Sequence, residues 1–249
     1  MALTPSVLTD VRIYLAGADL TGFSNKVEIL PTVEDKEFTN FASGGWKERT
    51  GGLFSTASSV ESFWQAGDLS MPDDAYWAAL GVNTAPFTVV PTSGAVGQLA
   101  YLTRMLQKGY KLGGPDGEIM TAMADLSGNW PQVRGQIMHP QGTARTASGN
   151  GTGLQLGAVL AAQRFYACLH VLSIAGTATP TITVKIQSNV DNTFAAPTDR
   201  ITFTAATTLS GQASSVLGAI TDTWWRAVWT ISGTTPSFLF AVSGGIAAK

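Results

Sequence analysis

The sequence predicts an all-β protein with one short helix, and both its composition and its patterning indicate that class. Among its 249 residues are 27 Gly and 11 Pro, many of which separate short segments rich in Thr, Val and Ile. Such segments between turn residues are typical of strands. Hydrophobic residues make up 45% of the chain and charged residues 13%, so we expect an ample core and a largely neutral surface. Neutral surfaces of this kind are typical of subunit contacts.

The first strand is predicted over residues 7–17. Its alternation of apolar and polar positions places on the inward face Val11, Ile13 and Leu15. A turn through Gly17 and Gly22 then leads into the next element, a hairpin.

This long hairpin, over residues 26–64, is the segment around which the chain is organised. The apolar positions that alternate along its first strand are Val27, Ile29 and Val33. Fully extended, residues 26–41 span roughly 50 Å at about 3.3 Å per residue, which is longer than ordinary strands. The alternation slips near Glu34 and Asp35, so we expect the charged half beyond them to leave the domain.

The tip of the hairpin carries Trp46 between two glycine pairs, Gly44-Gly45 and Gly51-Gly52. Glycine permits the positive φ angles of a tight reversal. A hairpin that extends past its own core is either mobile or docked on another molecule. A large aromatic side chain at a tip is a typical interface anchor, so the pattern favours docking.

Residues 68–81 carry the clearest helix signal. Pro72 fits the first turn, Asp73 and Asp74 match the positive end of the helix dipole, and Gly81 ends the helix. The expected cap is Ser70 or Met71. The apolar stripe that we expect to lie over one end of the sheet consists of Tyr76, Trp77 and Leu80.

Further strands are predicted along the rest of the chain, at residues 86–91, 98–110, 118–126, 132–138, 165–174, 181–187, 200–204, 224–231 and 237–242. Residues 98–110 fit a helix or a strand, and the glycines around them favour the strand. Residues 139–153 contain no large apolar side chain, which predicts a linker or a mobile loop. We therefore expect a β domain over residues 1–140, a linker over 141–153 and a second β domain over 154–249. The second domain is either a distant copy of the first or a different domain.

No residue pattern predicts a catalytic, cofactor or metal site, so we expect a protein that is not an enzyme. The single Cys168 excludes an internal disulfide, and the two histidines are expected to be solvated (His139) and structural (His170). Neither a G-x-S-x-G elbow nor a phosphate-binding loop occurs. The net charge of −2 offers no basic field for nucleic acid. The start of the chain lacks the pattern of a secretory signal and no segment resembles a membrane span, so we expect no membrane anchor.

A tryptophan cluster near the end of the chain is the remaining conspicuous feature. In a strand, Trp225 and Trp229 face one way and Trp224 and Arg226 face the other. One set is expected in the core. The other is either a subunit contact or a platform on which a sugar stacks.

Three segments of the first half occur in an order that belongs to a known family: VRIYLAGADLTGFSNKVEI, FASGGWKERTGGLFSTASSVESFW and PDDAYWAALG. Together they resemble the tail tube (major tail) proteins of long-tailed bacteriophages, especially those of actinobacterial hosts. The closing segment TDTWWRAVWTISGTTPSFLFAVSGGI also looks like the end of such proteins.

The resemblance implies a tail-tube-type β-sandwich or half-barrel that assembles into rings, which stack into a hollow tube within the virion. Inner strands of neighbouring subunits would join into one β-barrel. The tube would form in the host cytoplasm around a tape measure protein, between the tail terminator and the baseplate or distal tail proteins. Viral DNA would pass through its lumen without sequence-specific binding.

The resemblance also places the hairpin at the contact with the next ring. The residues expected there are Glu34, Asp35, Lys36, Glu37, Phe41, Gly44, Gly45, Trp46, Lys47, Glu48 and Arg49, and a second contact is expected at Trp224 and Arg226. If the second half is a copied tube domain, three chains would form a ring; if it is a decoration domain, six are needed. The rival hypothesis is a carbohydrate-binding or decoration β-sandwich of a virion that uses the tryptophan cluster.

Overall fold

The computed structural model describes residues 7–248, which form one branched sheet of fourteen strands and a single short helix. The predicted all-β class with one short helix is therefore confirmed. The elements of the first half are β1 (Arg12–Leu15), β2 (Ala18–Asp19), β3 (Ser24–Glu37), β4 (Arg49–Phe63), α1 (Pro72–Ala79), β5 (Ala85–Val90), β6 (Leu99–Gly113), β7 (Thr121–Gly128) and β8 (Val133–His139). Those of the second half are β9 (Gly149–Asn150), β10 (Leu154–Gln155), β11 (Gln163–Asn189), β12 (Thr198–Thr202), β13 (Ser210–Leu217) and β14 (Trp224–Ala248). The expectations about the first residues of the chain fall on residues 1–6, which lie outside the described residues.

The first half of the chain builds its core between two groups of strands and the helix. β6 forms the branch point, because it pairs with β5 and β8 near its start and with β7 towards its end. β7 pairs in turn with β4, and β4 with β3. Between these strands and β1 and β5 lies a buried cluster that includes Ile13, Leu15, Val60, Tyr76, Phe87, Met105 and Leu126. The ambiguous segment 98–110 is thus a strand, as predicted.

Helix α1 closes this core, but with a different face from the one predicted. Tyr76 is fully buried, where its hydroxyl lies 2.7 Å from Ser62 Oγ and its carbonyl accepts a hydrogen bond from Gln107. Trp77, by contrast, is 66% exposed and Leu80 lies beyond the helix, so the three residues do not form one inward stripe. The N-cap is Met71, one of the two predicted caps, and its side chain makes no capping hydrogen bond.

The second half is built on a two-stranded ribbon that folds back on itself. β11 and β14 pair in antiparallel fashion from Gln163↔Ala248 to Asn189↔Trp224. The ribbon bends near its middle, where the backbone adopts positive φ at Gly176, Ala178, Thr179, Gly233 and Thr235. Phe165 from one end of the ribbon stacks on Trp225 from the other end, with ring centroids 4.1 Å apart. The segments predicted as four separate strands are therefore two strands, because each pair continues through the bend.

The two halves are joined through the sheet and through buried polar contacts. β14 pairs with β8, so the hydrogen-bonded ladder passes from one half to the other. At the junction, His170 on β11 contacts Thr88 on β5 at 2.9 Å, and Thr88 contacts Ser243 on β14 at 3.0 Å. The segment 141–153 lies against the second half, where Arg145 forms a β-bridge with Phe238 and β9 pairs with β14. We keep the predicted division into two domains and a linker as a proposal.

Candidate assembly surface

The outer part of the β3–β4 hairpin extends beyond the rest of the sheet. The last pair that β4 makes with β7 is Ala57↔Ser127, and β4 is the only strand that pairs with β3 among the described residues. We call residues 31–56 the arm. Its strands project about 25 Å, since they extend by about 3.3 Å per residue up to Glu37. The sequence predicted that the hairpin leaves the domain near Glu34 and Asp35. The arm begins a few residues earlier, because β7 ends at Gly128 and no other strand of residues 7–248 continues beside β4.

The predicted slip in the alternation is confirmed by the pairing of the two strands. The register of β3 and β4 shifts between Val33 and Asp35, as in a β-bulge. On the body side of the shift, Val33 pairs with Phe54; beyond it, Asp35 pairs with Gly51. A bulge of this kind changes which side chains share a face and increases the local twist. The arm therefore divides at Glu34 into two parts. The apolar base consists of residues 31–33 and 53–56, and the charged shaft consists of residues 34–37 and 47–52.

The charges of the shaft pair with one another. Lys36 lies 2.8 Å from Glu34, Lys47 lies 2.9 Å from Glu37, and Arg49 contacts Asp35. Glu48 is the one predicted charged residue of the contact that takes part in none of these pairs; its backbone N–H donates to Thr39 Oγ1 at 3.0 Å. Exposed ion pairs contribute little to stability, typically about 0–1 kcal/mol each. Their consequence is that the shaft presents little net charge to a partner.

The tip of the arm, residues 38–46, is a structured turn with exposed aromatic side chains. Phe38 N donates to Glu48 O at 3.0 Å and Trp46 N to Ser43 O at 3.2 Å, so backbone contacts order the turn. Gly44 and Gly45 have φ angles of 62° and 86°, which is the conformation that the glycine pair predicted. Phe41 is fully exposed and Trp46 is 82% exposed. The structure thus brings most of the predicted contact residues together on one projection.

Sequence reasoning missed the apolar base of the arm. Phe54 is 86% exposed, and the other large apolar side chains exposed on the arm's two strands are Val33 and Leu53. The signal was present in the adjacent pair Leu53-Phe54: neighbouring residues of a strand point to opposite faces, so two large apolar neighbours require partners on both faces. In the described residues this part of β4 has only β3 beside it.

A cleft of about 700 Å³ lies where the arm meets the body. The arm lines one side of it with Pro31–Val33 and Phe54–Thr56. The other side comes from the turn between β7 and β8, at residues 128–132, and from Ala247 and Ala248 at the end of β14. Within that turn the indole of Trp130 is held edge-on against Tyr166, with ring centroids 5.1 Å apart, and Arg104 lies over its face at 4.9 Å. One wall of the cleft is therefore a fixed aromatic surface.

The tryptophan cluster near the end of the chain is mostly core. Trp225 is fully buried and donates from Nε1 to Gly157 O at 2.9 Å; Trp229 is also buried and donates to Ala147 O at 3.0 Å. Arg226, on the opposite face, is half-buried: its guanidinium lies 4.3 Å from the centre of the Phe194 ring and donates two hydrogen bonds to Gln187. Burial lowers the pKa of Arg226. The role of Trp224 and Arg226 as a second contact stays a prediction.

Both histidines are buried, which corrects the prediction that His139 is solvated. His139 stacks on Phe240 with centroids 4.1 Å apart, donates from Nδ1 to Phe240 O, and accepts from Arg145 Nε at 3.1 Å. His170 donates from Nδ1 to Ala16 O at 2.6 Å, so its Nε2 accepts from Thr88. Burial lowers the pKa of each to about 4, so both imidazoles are neutral at pH 7. Their contacts explain a structural role for both rings.

Across residues 7–248, no three His, Cys, Asp or Glu side chains come together in a way that could hold a metal ion. The one helix of these residues is also too short to cross a bilayer. Cys168 is buried, and burial raises the pKa of its thiol to about 12.

No protein-family model and no curated protein sequence matches this chain. Solved structures with a partial likeness include a chain from the virion of a native gene transfer agent particle, which is 15% identical, covers 52% of this chain and 98% of its own, and has a TM-score of 0.41. A chain from the tail of an empty gene transfer agent particle of C6 symmetry is 16% identical, covers 51% and 96%, and has a TM-score of 0.40. The Dit protein of SPP1, described as a hub adsorption apparatus of phages that infect Gram-positive bacteria, is 11% identical, covers 95% and 99%, and has a TM-score of 0.36. Likeness of this degree supports no conclusion about function.

Proposed function

We propose that this chain is a structural, non-enzymatic virion protein that polymerises as stacked rings into a phage tail tube, the conduit for viral DNA. The observation that carries the proposal is the arm. It extends about 25 Å from the nearest strand of its own body and exposes Phe41, Trp46 and Phe54. Large apolar side chains grouped on a projection of this kind mark a contact with another molecule.

The free edges of the sheet support the same proposal. β3 has one neighbour among the described strands, and β4 loses β7 at Ala57, so both sides of the arm present backbone groups that no strand of the described chain pairs. Open edges invite pairing with another chain, and closure into a ring satisfies them. Strands from neighbouring copies that pair along these edges would form the continuous barrel of a tube.

The charge of the chain fits a conduit for DNA. A lumen that conducts DNA must not bind its phosphates tightly, since each contact of a Lys or Arg with a phosphate adds salt-dependent affinity. The net charge of −2 and the self-paired charges of the shaft leave no basic field on the arm. We propose that the partners are further copies of this chain, a tape measure protein within the tube, and terminator and distal tail proteins at its ends. Assembly would take place in the host cytoplasm.

Sedimentation velocity over a series of protein concentrations tests the proposal. A tube protein of 26.1 kDa should form species of three or six times that mass, and longer polymers as the concentration rises. The carbohydrate-binding alternative predicts a small species whose tryptophan fluorescence changes with added glycan. With Trp225 and Trp229 in the core, Trp224 is the one indole of the cluster left for a sugar, and the guanidinium of Arg226 beside it is already bonded to Gln187. A monomer at every concentration would contradict the tail-tube proposal.

A further inference from the structure

The cleft at the base of the arm has a lining without any charged side chain. The residues that line it are Pro31–Val33, Phe54–Thr56, 128–132, Ala247 and Ala248. Phe54, on the arm side, is 86% exposed, so a large part of this wall has no packing partner within the described residues. The volume of the cleft, about 700 Å³, lies within the range of roughly 300–1,000 Å³ that holds a compact, mostly apolar ligand.

The tip of the arm matches this lining in charge and in chemistry. Residues 38–46 contain no charged side chain, and the charges begin directly beyond them, at Glu37 and Lys47, which pair with each other at 2.9 Å. Burial of a charged tip in an apolar cleft would carry the large cost of removing an ion from water, and an uncharged tip avoids that cost. The tip also presents two aromatic side chains, Phe41 and Trp46, on a turn that is already ordered. An ordered turn loses less conformational entropy when it binds.

The tip and the cleft of one molecule lie at opposite ends of the arm. The strand segments between them, residues 34–37 and 47–53, hold the tip roughly 15 Å from the near wall of its own cleft at about 3.3 Å per residue. We infer that the cleft is the acceptor for the arm tip of a second copy of this chain. The inference rests on the proposed assembly and names the surface that receives the arm.

A contact of this type is heterologous, since each copy gives its tip to one neighbour and receives the tip of another. Repetition of such a contact either closes into a ring or continues as a stack. The two aromatic side chains bury roughly 300–500 Å², about half of the roughly 800 Å² that a stable interface buries on each partner. The tip alone therefore makes a weak contact, which becomes firm when the free strand edges pair as well.

Disulfide trapping tests the inference in the full-length protein. A chain with Ala42→Cys at the tip is mixed with a chain carrying Ala248→Cys in the cleft, and the mixture is oxidised at concentrations at which the protein polymerises. Cys168 does not interfere, because its thiol is buried and its raised pKa keeps it protonated. The matched control replaces the cleft variant by Ala66→Cys, an exposed alanine in the loop after β4.

We expect the tip–cleft disulfide to form at about ten times the yield of the control, because a disulfide requires Cβ atoms about 3.5–4.5 Å apart. Equal yields in samples that sediment as polymers would overturn the acceptor site and leave the proposed function standing. Absence of polymers at any concentration would overturn both.

A charge placed in the cleft gives a second measurement. Ala248→Glu should raise the protein concentration needed for polymerisation about tenfold, since the carboxylate loses hydration when the tip covers it. Ala66→Glu should leave that concentration unchanged. If the two variants polymerise alike, the tip does not enter the cleft.

Discussion

Replacing Trp46 by Ala should impair assembly and leave the fold intact. The indole is 82% exposed in the single chain, so its removal should change the free energy of unfolding by less than about 0.5 kcal/mol. In an assembly, a buried indole removes roughly 150–250 Å² from water, and interface anchors of this kind contribute at least about 2 kcal/mol. A loss of about 2 kcal/mol corresponds to a rise of roughly 30-fold in the concentration at which polymers appear.

The measurement is a sedimentation series of the wild type, Trp46→Ala and a control, Trp77→Ala. Trp77 is 66% exposed on α1, outside residues 31–56 of the arm, and is thus similar in type and exposure. We expect the control to polymerise like the wild type, and urea unfolding to show that both variants are folded. The reasoning is refuted if Trp46→Ala polymerises within twofold of the wild-type concentration, or if both tryptophan variants are impaired to the same degree.

Three further predictions concern the second half of the chain. Trp225→Ala should cost about 3–5 kcal/mol in urea unfolding, because the buried indole leaves a cavity, whereas Trp224→Ala should cost less than half as much; equal losses would contradict the assignment of the core face. The pKa of His170 is lowered to about 4, below its value of about 6.5 in the unfolded chain, so the unfolded state binds the proton first. The free energy of unfolding should therefore fall as the pH drops from about 6.5 to 4, by up to about 3 kcal/mol for this group. The free energy of unfolding of His170→Gln should fall less steeply over the same pH range. An equally steep fall in the wild type and the variant would count against a neutral, buried imidazole. Arg145→Ala should speed proteolytic cleavage within residues 140–153, since the guanidinium lies 5.3 Å from the centre of the Trp229 indole ring and holds the segment down; cleavage at the wild-type rate would show that other contacts hold it.

Local patterns predicted much of the hairpin and the helix. The break in alternation near Glu34 foretold the register shift, and the glycine pair at 44–45 foretold the positive φ angles of the tip. Both depend on residues close in sequence, where side-chain period and backbone freedom decide the outcome. The predicted helix is present, with Pro72 as its first residue.

Features that depend on distant residues were not predictable in this way. Tyr76 and Trp77 lie about 100° apart on the helix, and only the contacts of α1 with β6 and β7 decide which of them is buried. His139 follows a strand and precedes Pro140, which suggested a solvated loop. Its burial results from a stack on Phe240, about a hundred residues further along the chain.

The folding of the β11–β14 ribbon back on itself also depends on contacts between residues that are far apart in the sequence. The predicted gaps between residues 174 and 181 and between residues 231 and 237 contain Gly176 and Gly233, and in the structure the paired strands continue through both gaps with a bend. A glycine therefore marks the bend in each of the two strands. The stacking of Phe165 on Trp225, which makes the bend favourable, joins positions at opposite ends of the ribbon.

Hydrogen exchange of the arm in dilute and in concentrated protein tests the central claim most directly. If the arm finds its partner in another copy, the backbone amides of residues 38–46 and of the outer part of β4, from Arg49 to Thr56, should gain protection as polymers form, while those of the buried strand β5 stay equally protected throughout. Polymers in which the arm amides exchange as fast as in the dilute protein would contradict the claim.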